Sequence, residues 1–476
     1  MAKHVAQGKE LPIFFYGQHY GLSTVEAVAG AVSFVMFGTG AVALKSAMLA
    51  LWTVGVLFLF LALARLLGSA RSFLITAVFV LTPAWAVWSM KARGGYLTAF
   101  AATAALVWLL AGDRERRSIR HWLAAGVLTA VIYLGQPLWL PGVLPFLVAS
   151  AVADRRPFWT ASYVAATALP LALVRLVTLT SQQTWFGPVP GHETFARVLP
   201  DMAQQIYVNL TGAYYLALTV DPPGSATTIL ASVWCCLLPA ALLMQLYRLV
   251  TRRYCAASHL LFASIALTMI VEAVALRARD GRYMLPLVAP LVALVGIELA
   301  DLVDRRLLPK KAVAGAALVM VLIGAQSMQE FRAFSFLWTN PAGSWSEARR
   351  MEQILSYLKL RNVTHVFSMN GLLDSQLIFY SDEQVLARWT NPNGRYPPYV
   401  NEVDRALVAG EPVAVVGYTN TSGAPGCWDV PICTGGIEGM VPDPEAIFTV
   451  DGKYFVYAGA SQDLLERLQF RRVTEQ

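Results

Sequence analysis

Residues 44–67 read LKSAMLALWTVGVLFLFLALARLL, twenty-four residues with one cation near each end. As a helix this stretch rises about 36 Å, enough to cross roughly 30 Å of hydrocarbon. Nine more apolar runs follow, at 72–90, 96–112, 122–134, 137–153, 158–179, 227–249, 259–276, 284–300 and 312–328. The run 122–134 has only 13 residues. With Gly135, Pro137, Pro141 and Pro145 behind it, the region 122–153 reads either as two short spans or as one long broken span.

Composition agrees with this reading. The chain is 476 residues, 56% hydrophobic and only 14% charged, with a mean hydropathy of +0.52. A soluble protein of that make-up exposes too much apolar surface, and disorder requires the opposite balance. The formal charge of +7 is unevenly spread: residues 1–330 hold 25 basic and 14 acidic residues, residues 331–476 hold 12 and 16. The basic excess belongs to the apolar part, where it reports topology and anionic lipid rather than nucleic acid.

Charge also resolves the ambiguous region. With two spans, the connections alternate. One set holds fifteen cations: Arg65, Arg71, Arg114, Arg116, Arg117, Arg120, Arg155, Arg156, Arg248, Arg252, Arg253, Arg305, Arg306, Lys310 and Lys311. The opposite short connections hold five: Lys91, Arg93, Arg277, Arg279 and Arg282. The positive-inside rule assigns the first set to the cytoplasm. Residues 1–43, the loop 180–226 and the whole tail then face outward. The expected architecture is mainly α: a polytopic bundle of about ten helices over 44–330, with a small C-terminal α/β domain over 331–476.

Two segments are too short or too polar to span. Val25–Phe37 is an apolar juxtamembrane helix carrying Glu26 at its start, and 194–218 is an amphipathic stretch with Tyr207, Tyr214 and Tyr215, suited to the headgroup layer. In the tail, Met351, Ile354, Leu355 and Leu358 share one helical face, and the runs 363–367 and 413–416 read as buried strands. Phe448–Tyr457 alternates around Asp451-Gly452, a hairpin signal, and 463–470 reads as a closing helix. The tail contains no Gly-rich phosphate loop, no G-x-S-x-G and no zinc-ligand spacing. Cys427 and Cys433 alone share the outer compartment, so a disulfide is expected between them.

Ionisable groups at bilayer depth are functional hypotheses. Arg175 and Glu272 lie similar distances below the outer ends of their spans, and a buried ion pair is the expectation. The five outward cations oppose the topology signal and therefore need a reason. An anionic ligand at the outer leaflet supplies one, since guanidinium grips phosphate oxygens in pairs and Lys acts as a point charge. Interface snorkelling is the competing explanation.

The motifs resemble those of GT-C-type glycosyltransferases, in the bacterial group related to lipopolysaccharide lipid-sugar transferases and protein O-mannosyltransferases. The likeness rests on Pro12-Ile-Phe-Phe-Tyr-Gly-Gln18-His-Tyr20 followed by Glu26, on Lys91-Ala-Arg93-Gly-Gly-Tyr96, and on Arg282-Tyr283-Met-Leu-Pro286. Ser381-Asp-Glu-Gln-Val and Asn393-Gly-Arg-Tyr-Pro-Pro-Tyr399 resemble the outer domain that many members carry.

The resemblance implies inverting sugar transfer from a polyprenyl-phosphate-linked donor to a glycan, lipid or protein acceptor at the outer face of the cell membrane. It places Gln18, Tyr20 and Glu26 at a cavity rim, with Lys91, Arg93, Arg279 and Arg282 toward phosphate and Tyr283 against isoprenoid or sugar. No resident cofactor is implied, and divalent metal assistance is left open. In that group a first helix and an outer acidic base precede the stretch matching Ala6–Tyr20. The expectation is therefore a chain lacking that helix, with Glu26 as the acid nearest the missing base. A lipid-linked-glycan transporter or a polysaccharide polymerase shares the composition. A transporter, however, is expected to show paired Gly/Pro-broken halves, and none is evident.

Overall fold

The computed structural model describes residues 1–9, 11–14, 16, 21–92, 94–112, 115, 117–180, 195–211, 224–251, 256–276, 281–330, 341–371, 373–389, 396–419, 437 and 440–470. The chain divides into two compact units, Met1–Phe334 and Ser335–Gln476.

The first unit is helical, and every one of the ten apolar runs lies on helix. Among the described residues, seven helices are long and apolar enough to cross a membrane: Ala41–Leu67, Pro137–Asp154, Pro157–Val177, Ser225–Val250, Ala257–Val274, Arg282–Asp304 and Lys310–Ser327. The protein is a multi-pass membrane protein. Tyr96–Leu110 and Ile119–Gly135 are shorter apolar helices. The run 72–90 departs from expectation. It forms Ser69–Val80 and then Pro83–Trp88, because Pro83 has no N–H to continue the ladder and the Thr82 hydroxyl donates instead to the Phe79 carbonyl. The stretches 122–134 and 137–153 are two helices, separated at Gln136, whose backbone is extended.

The core of this unit is aromatic where the chain breaks. Trp85 is fully enclosed, with ring centroids 4.7 Å from Phe100, 5.9 Å from Trp139 and 6.0 Å from Phe79. This cluster fixes the short helix Pro83–Trp88 and, with it, the connection that carries Lys91. Rings of this size supply large contact area with specific geometry.

At the basic end, four cations close onto acids, three of them (Arg248, Arg71 and Arg117) onto acids of another helix and Arg305 onto its own. Arg248 Nη2 lies 2.8 Å from Glu298 Oε2 and 2.7 Å from Asp301 Oδ2. Arg305 pairs with Asp301 at 2.6 Å, and Arg71 grips both oxygens of Asp304 at 2.5 and 2.9 Å. Arg117 approaches Asp154 at 3.4 Å, while the Trp122 indole donates to the same carboxylate at 3.0 Å. These arginines therefore tie helix ends together as well as marking polarity.

The second unit is an α/β layer structure with a five-stranded sheet in the order β2-β1-β3-β5-β4. The strands are β1 (His365–Ser368), β2 (Leu386–Trp389), β3 (Val413–Tyr418), β4 (Ile447–Val450) and β5 (Tyr454–Ala458). β1 pairs in parallel with β2 and β3, and β5 runs antiparallel to β3 and β4. Asp451 and Gly452 both take positive φ at the β4–β5 turn, as a tight hairpin of this sequence requires. Met351, Ile354 and Leu358 of helix Pro341–Leu360 fill one core with Val366, Ala414 and Val456. Val403, Leu464 and Phe470 fill the opposite core with Phe367 and Val415.

Arg248→Ala is expected to lower stability by about 3–5 kcal/mol, because the buried Glu298 then loses its cation while Asp301 keeps only Arg305. Thermal unfolding of the purified protein in detergent measures the loss. An unchanged midpoint would show that the pair does not hold the helix ends.

Candidate functional site

The strap before the first long helix is built as a closed loop. Phe14 and Leu22 form an isolated antiparallel bridge, the Ser23 N–H donates to the Ile13 carbonyl, and the Thr24 hydroxyl donates to the Pro12 carbonyl at 2.9 Å. Gln18 and Tyr20, inside the loop, lie outside the described residues; the loop's ends show where it is rooted. Leu22 N–H donates to the Leu134 carbonyl at 2.9 Å, so the strap is sewn to the turn at Gly135-Gln136.

Glycine makes that junction possible. Gly95 has φ of +76°, and a Cβ there would sit 2.9 Å from the Gly135 carbonyl oxygen and 3.0 Å from the Leu22 nitrogen. Gly21, at φ +78°, would bring a Cβ within 2.9 Å of the Gly94 oxygen. Both positions thus combine a left-handed backbone with near-contact of another chain segment, and at Gly95 three segments meet. Gln136 completes the junction: it is 4% exposed, and its Nε2 donates to the Gly94 carbonyl at 2.7 Å. The sequence reading saw the Gly135–Pro137 interruption but not the glutamine, whose role depends on a partner 42 residues away.

The Lys91–Tyr96 connection therefore stands beside the root of the Gln18–Tyr20 loop. Lys91 Nζ lies 4.9 Å from the Trp88 ring centroid, and that ring packs on Tyr96 at 4.7 Å. Arg93 and Arg279 lie outside the described residues. Arg282 is half-buried, donates from Nη2 to the Tyr283 hydroxyl at 3.1 Å, and stands 5.0 Å from that ring's centroid. Tyr283 thus holds the arginine's head group, a contact the sequence motif did not reveal.

Helix Phe195–Thr211 brings the two cation-bearing regions together. It packs against Pro83–Trp88, against the π-turn Glu272–Leu276 and against the 3₁₀ turn Gly281–Met284. Val198, Met202 and Leu210 are buried, so this amphipathic stretch is anchored in protein. Asp201, Gln205 and Asn209 recur at four-residue spacing, which puts them along one side of the helix. The Gln205 Oε1 is enclosed without a hydrogen-bond partner among the described residues.

Glu272 and Arg175 are not brought together as a buried pair. Arg175 is exposed on Pro157–Thr180, a helix on the bundle's rim whose spanning window contributes nothing to the interior. Glu272 is 3% exposed, and its Oε1 has no hydrogen-bond partner among the described residues. An enclosed carboxyl group on a π-turn is expensive to keep, and such turns concentrate at functional sites. Glu26, at 4% exposure, sits in the first turn of helix Thr24–Phe37, against which the N-terminal helix Ala2–Ala6 packs. Cys427 and Cys433 lie outside the described residues. Among the described residues, no three His, Cys, Asp or Glu side chains converge to hold a metal ion.

Gly95→Ala is expected to disrupt the junction by roughly 1–3 kcal/mol, through left-handed strain and overlap with the Gly135 carbonyl. Differential scanning fluorimetry and protection of the strap from limited proteolysis would report it. An alanine variant with unchanged melting and unchanged cleavage would show that the three segments are not held in close contact.

The fold is that of crystallised ArnT from Cupriavidus metallidurans. The structure bound to undecaprenyl phosphate superposes with a TM-score of 0.58 at 13% identity, covering 97% of this chain and 92% of that one. The apo structure gives 0.56 at the same identity and coverage. No family model and no curated protein matches the sequence. The chain thus has the GT-C-type fold: a polytopic helical bundle followed by a small α/β domain.

Proposed function

We propose that this protein is a membrane glycosyltransferase that moves a sugar from a polyprenyl-phosphate-linked donor to an acceptor at the outer face of the cell membrane. One observation carries the reading: the fold likeness runs through 97% of the chain to a protein crystallised with undecaprenyl phosphate. The contacts of helix Phe195–Thr211 with Pro83–Trp88, which leads to Lys91, and with the turn that carries Arg282 support it, because cations at the lean end of the charge alternation suit a lipid-linked phosphate.

The isoprenoid tail stays in lipid, and Lys91, Arg93, Arg279 and Arg282 are the cations we assign to the phosphate. The acceptor oxygen forms a bond to the anomeric carbon as the bond from that carbon to the phosphate oxygen breaks. Polyprenyl phosphate leaves with the electron pair. Negative charge grows on the leaving phosphate, and fixed cations stabilise that charge most in the transition state. The acceptor hydroxyl passes its proton to a carboxylate. Glu272 is the group we assign, since its turn and the Arg282 turn both pack on helix Phe195–Thr211 and its Oε1 has no hydrogen-bond partner among the described residues. Glu26 is the alternative, and its packing under the N-terminal helix favours an anchoring role. The motif resemblance is what assigns Gln18 and Tyr20 to the rim.

With radiolabelled undecaprenyl-phosphate sugars and protein in lipid nanodiscs, Arg282→Ala is expected to lower kcat/KM by about 10–100-fold, the worth of a charge-assisted hydrogen bond. Arg282→Lys rescues part of the loss, because the charge returns without the fork. Full turnover in Arg282→Ala at limiting donor would remove the phosphate assignment. In vesicles, movement of intact donor across the bilayer without cleavage would replace the enzyme reading with a transporter. Glu272→Gln is expected to cut kcat by about 10²–10⁴-fold with little change in KM. An active Glu272→Gln alongside a dead, folded Glu26→Gln would transfer the base to Glu26.

A further inference from the structure

The C-terminal unit carries a groove of about 860 Å³ between helix Pro341–Leu360 and the edge hairpin, lined among others by Arg349, Gln353, Ser356, Tyr357, Phe448 and Asp451. Its size falls within the usual range for small-ligand sites. We propose that this groove binds a short, uncharged oligosaccharide, and that the oligosaccharide is part of the acceptor. The second clause rests on the transferase reading above; the first does not.

Helical spacing selects the lining. Arg349, Gln353 and Ser356 fall at i, i+4 and i+7 of one helix, so their heads form a ladder along one face. All three are solvent-exposed. They offer a guanidinium donor, an amide with both donor and acceptor, and a hydroxyl with both. A polyol needs that mixture, since each sugar hydroxyl donates and accepts. Next to the ladder stands an apolar patch, Tyr357 of the same helix and Phe448 of β4. Tyr357 and Phe448 stack face to face, with centroids 4.2 Å apart and planes 5° from parallel. Arg361 covers Tyr357 at 5.4 Å from its centroid, so both faces of that ring are occupied and the half-buried Phe448 is the ring the patch presents to the groove. Sugars present apolar C–H faces between their hydroxyl edges, and the Phe448 ring, braced by Tyr357 beside a polar ladder, matches both.

Charge narrows the occupant. Arg349 is balanced in the lining by Glu352, and Asp451 is already paired with Arg350 at 2.9 Å. A polyphosphate or a basic peptide would meet no net field of the opposite sign. The Arg350–Asp451 pair also ties the hairpin turn to the helix, which fixes the groove's width before any ligand arrives. An extended peptide adding to the edge strand β4 is the competing occupant, and it would use backbone hydrogen bonds rather than the ladder. An acceptor glycan held on the same polypeptide raises its effective concentration for transfer.

The test uses the full-length protein in nanodiscs, with maltotriose, cellotriose, mannotriose and chitotriose as probes, read by saturation-transfer NMR and calorimetry. At least one trisaccharide is expected to bind saturably. The surface double variant Gln353→Ala/Ser356→Ala, which alters no core residue, is expected to raise its Kd at least ten-fold without moving the melting temperature. Phe448→Ala, accepted only if its melting profile stays cooperative, should abolish binding. Saturation by none of the four sugars overturns the proposal, as does binding unaffected by the double variant. Saturation by a neutral extended heptapeptide, with no sugar bound, assigns the groove to peptide and also overturns it. The two readings fail separately. Sugar binding without transfer from any polyprenyl donor removes the transferase and leaves the groove, whereas transfer without sugar binding removes the groove alone.

Discussion

The structure depends on how costly polarity is inside hydrocarbon. A helix satisfies its own backbone there, so the chain crosses by helices and confines its irregular backbone to their ends. Side-chain charges obey the same rule by pairing. Arg248 sits fully within protein only because Glu298 and Asp301 both reach it, at 2.8 and 2.7 Å. Next to it the rule is strained. Gln245 is completely enclosed with neither amide atom hydrogen-bonded among the described residues. Gln245 precedes Arg248 by three residues, as Glu298 precedes Asp301. In two helices both ending at the basic side, that spacing roots Gln245 and Glu298 one turn deeper than Arg248 and Asp301, and Glu298 reaches back to the arginine. Polar groups stacked in this way identify the seam along which these two helices are held in register.

The same constraint explains what could be read from sequence. Hydropathy is a long, local signal, so the ten runs were legible as helices. Where a proline removed a donor, the break at Val80–Pro83 fell inside a run that hydropathy alone treats as continuous. In the tail, the β-branched runs at 363–367 and 413–416 and the Asp451-Gly452 hairpin were legible for the same reason. Strand β2 was not. Its centre is Arg388, 1% exposed, which no pattern of apolar residues predicts. Arg388 is tolerated because its guanidinium binds Asp404 of helix Pro397–Val408 and stands 5.7 Å from the Phe367 ring centroid. A buried charge of this kind is specified by its partner, and the partner is 16 residues away.

The candidate site was legible in its cations and hidden in its scaffold. Lys91 and Arg282 announce themselves by opposing the charge alternation. The junction of Gly21, Gly95 and Gly135 does not, because a glycine required for close approach looks like any glycine in a loop. Helix Phe195–Thr211 was visible as an amphipathic stretch, but amphipathicity is equally served by a membrane surface and by a protein groove. Tertiary packing decides: Val198, Met202 and Leu210 are covered by protein, and the helix joins the two cation-bearing regions.

Arg175 and Glu272 show how far depth alone can mislead. Both lie near the outer ends of apolar runs, and equal depth suggested a pair. Depth fixes one coordinate, whereas pairing requires helices that face each other. Pro157–Thr180 packs mainly on Ile119–Gly135, while the helix leading to Glu272 packs on the 140–154 and 285–304 helices. Arg175 therefore remains on the rim, and the long arginine stem allows its head to reach a polar boundary from there. Glu272 has a shorter side chain and no such escape. Its enclosure is maintained by the elements around it, helix Phe195–Thr211 among them, rather than by a counter-charge. A carboxyl group held on those terms is kept for what it does and not for the stability it provides.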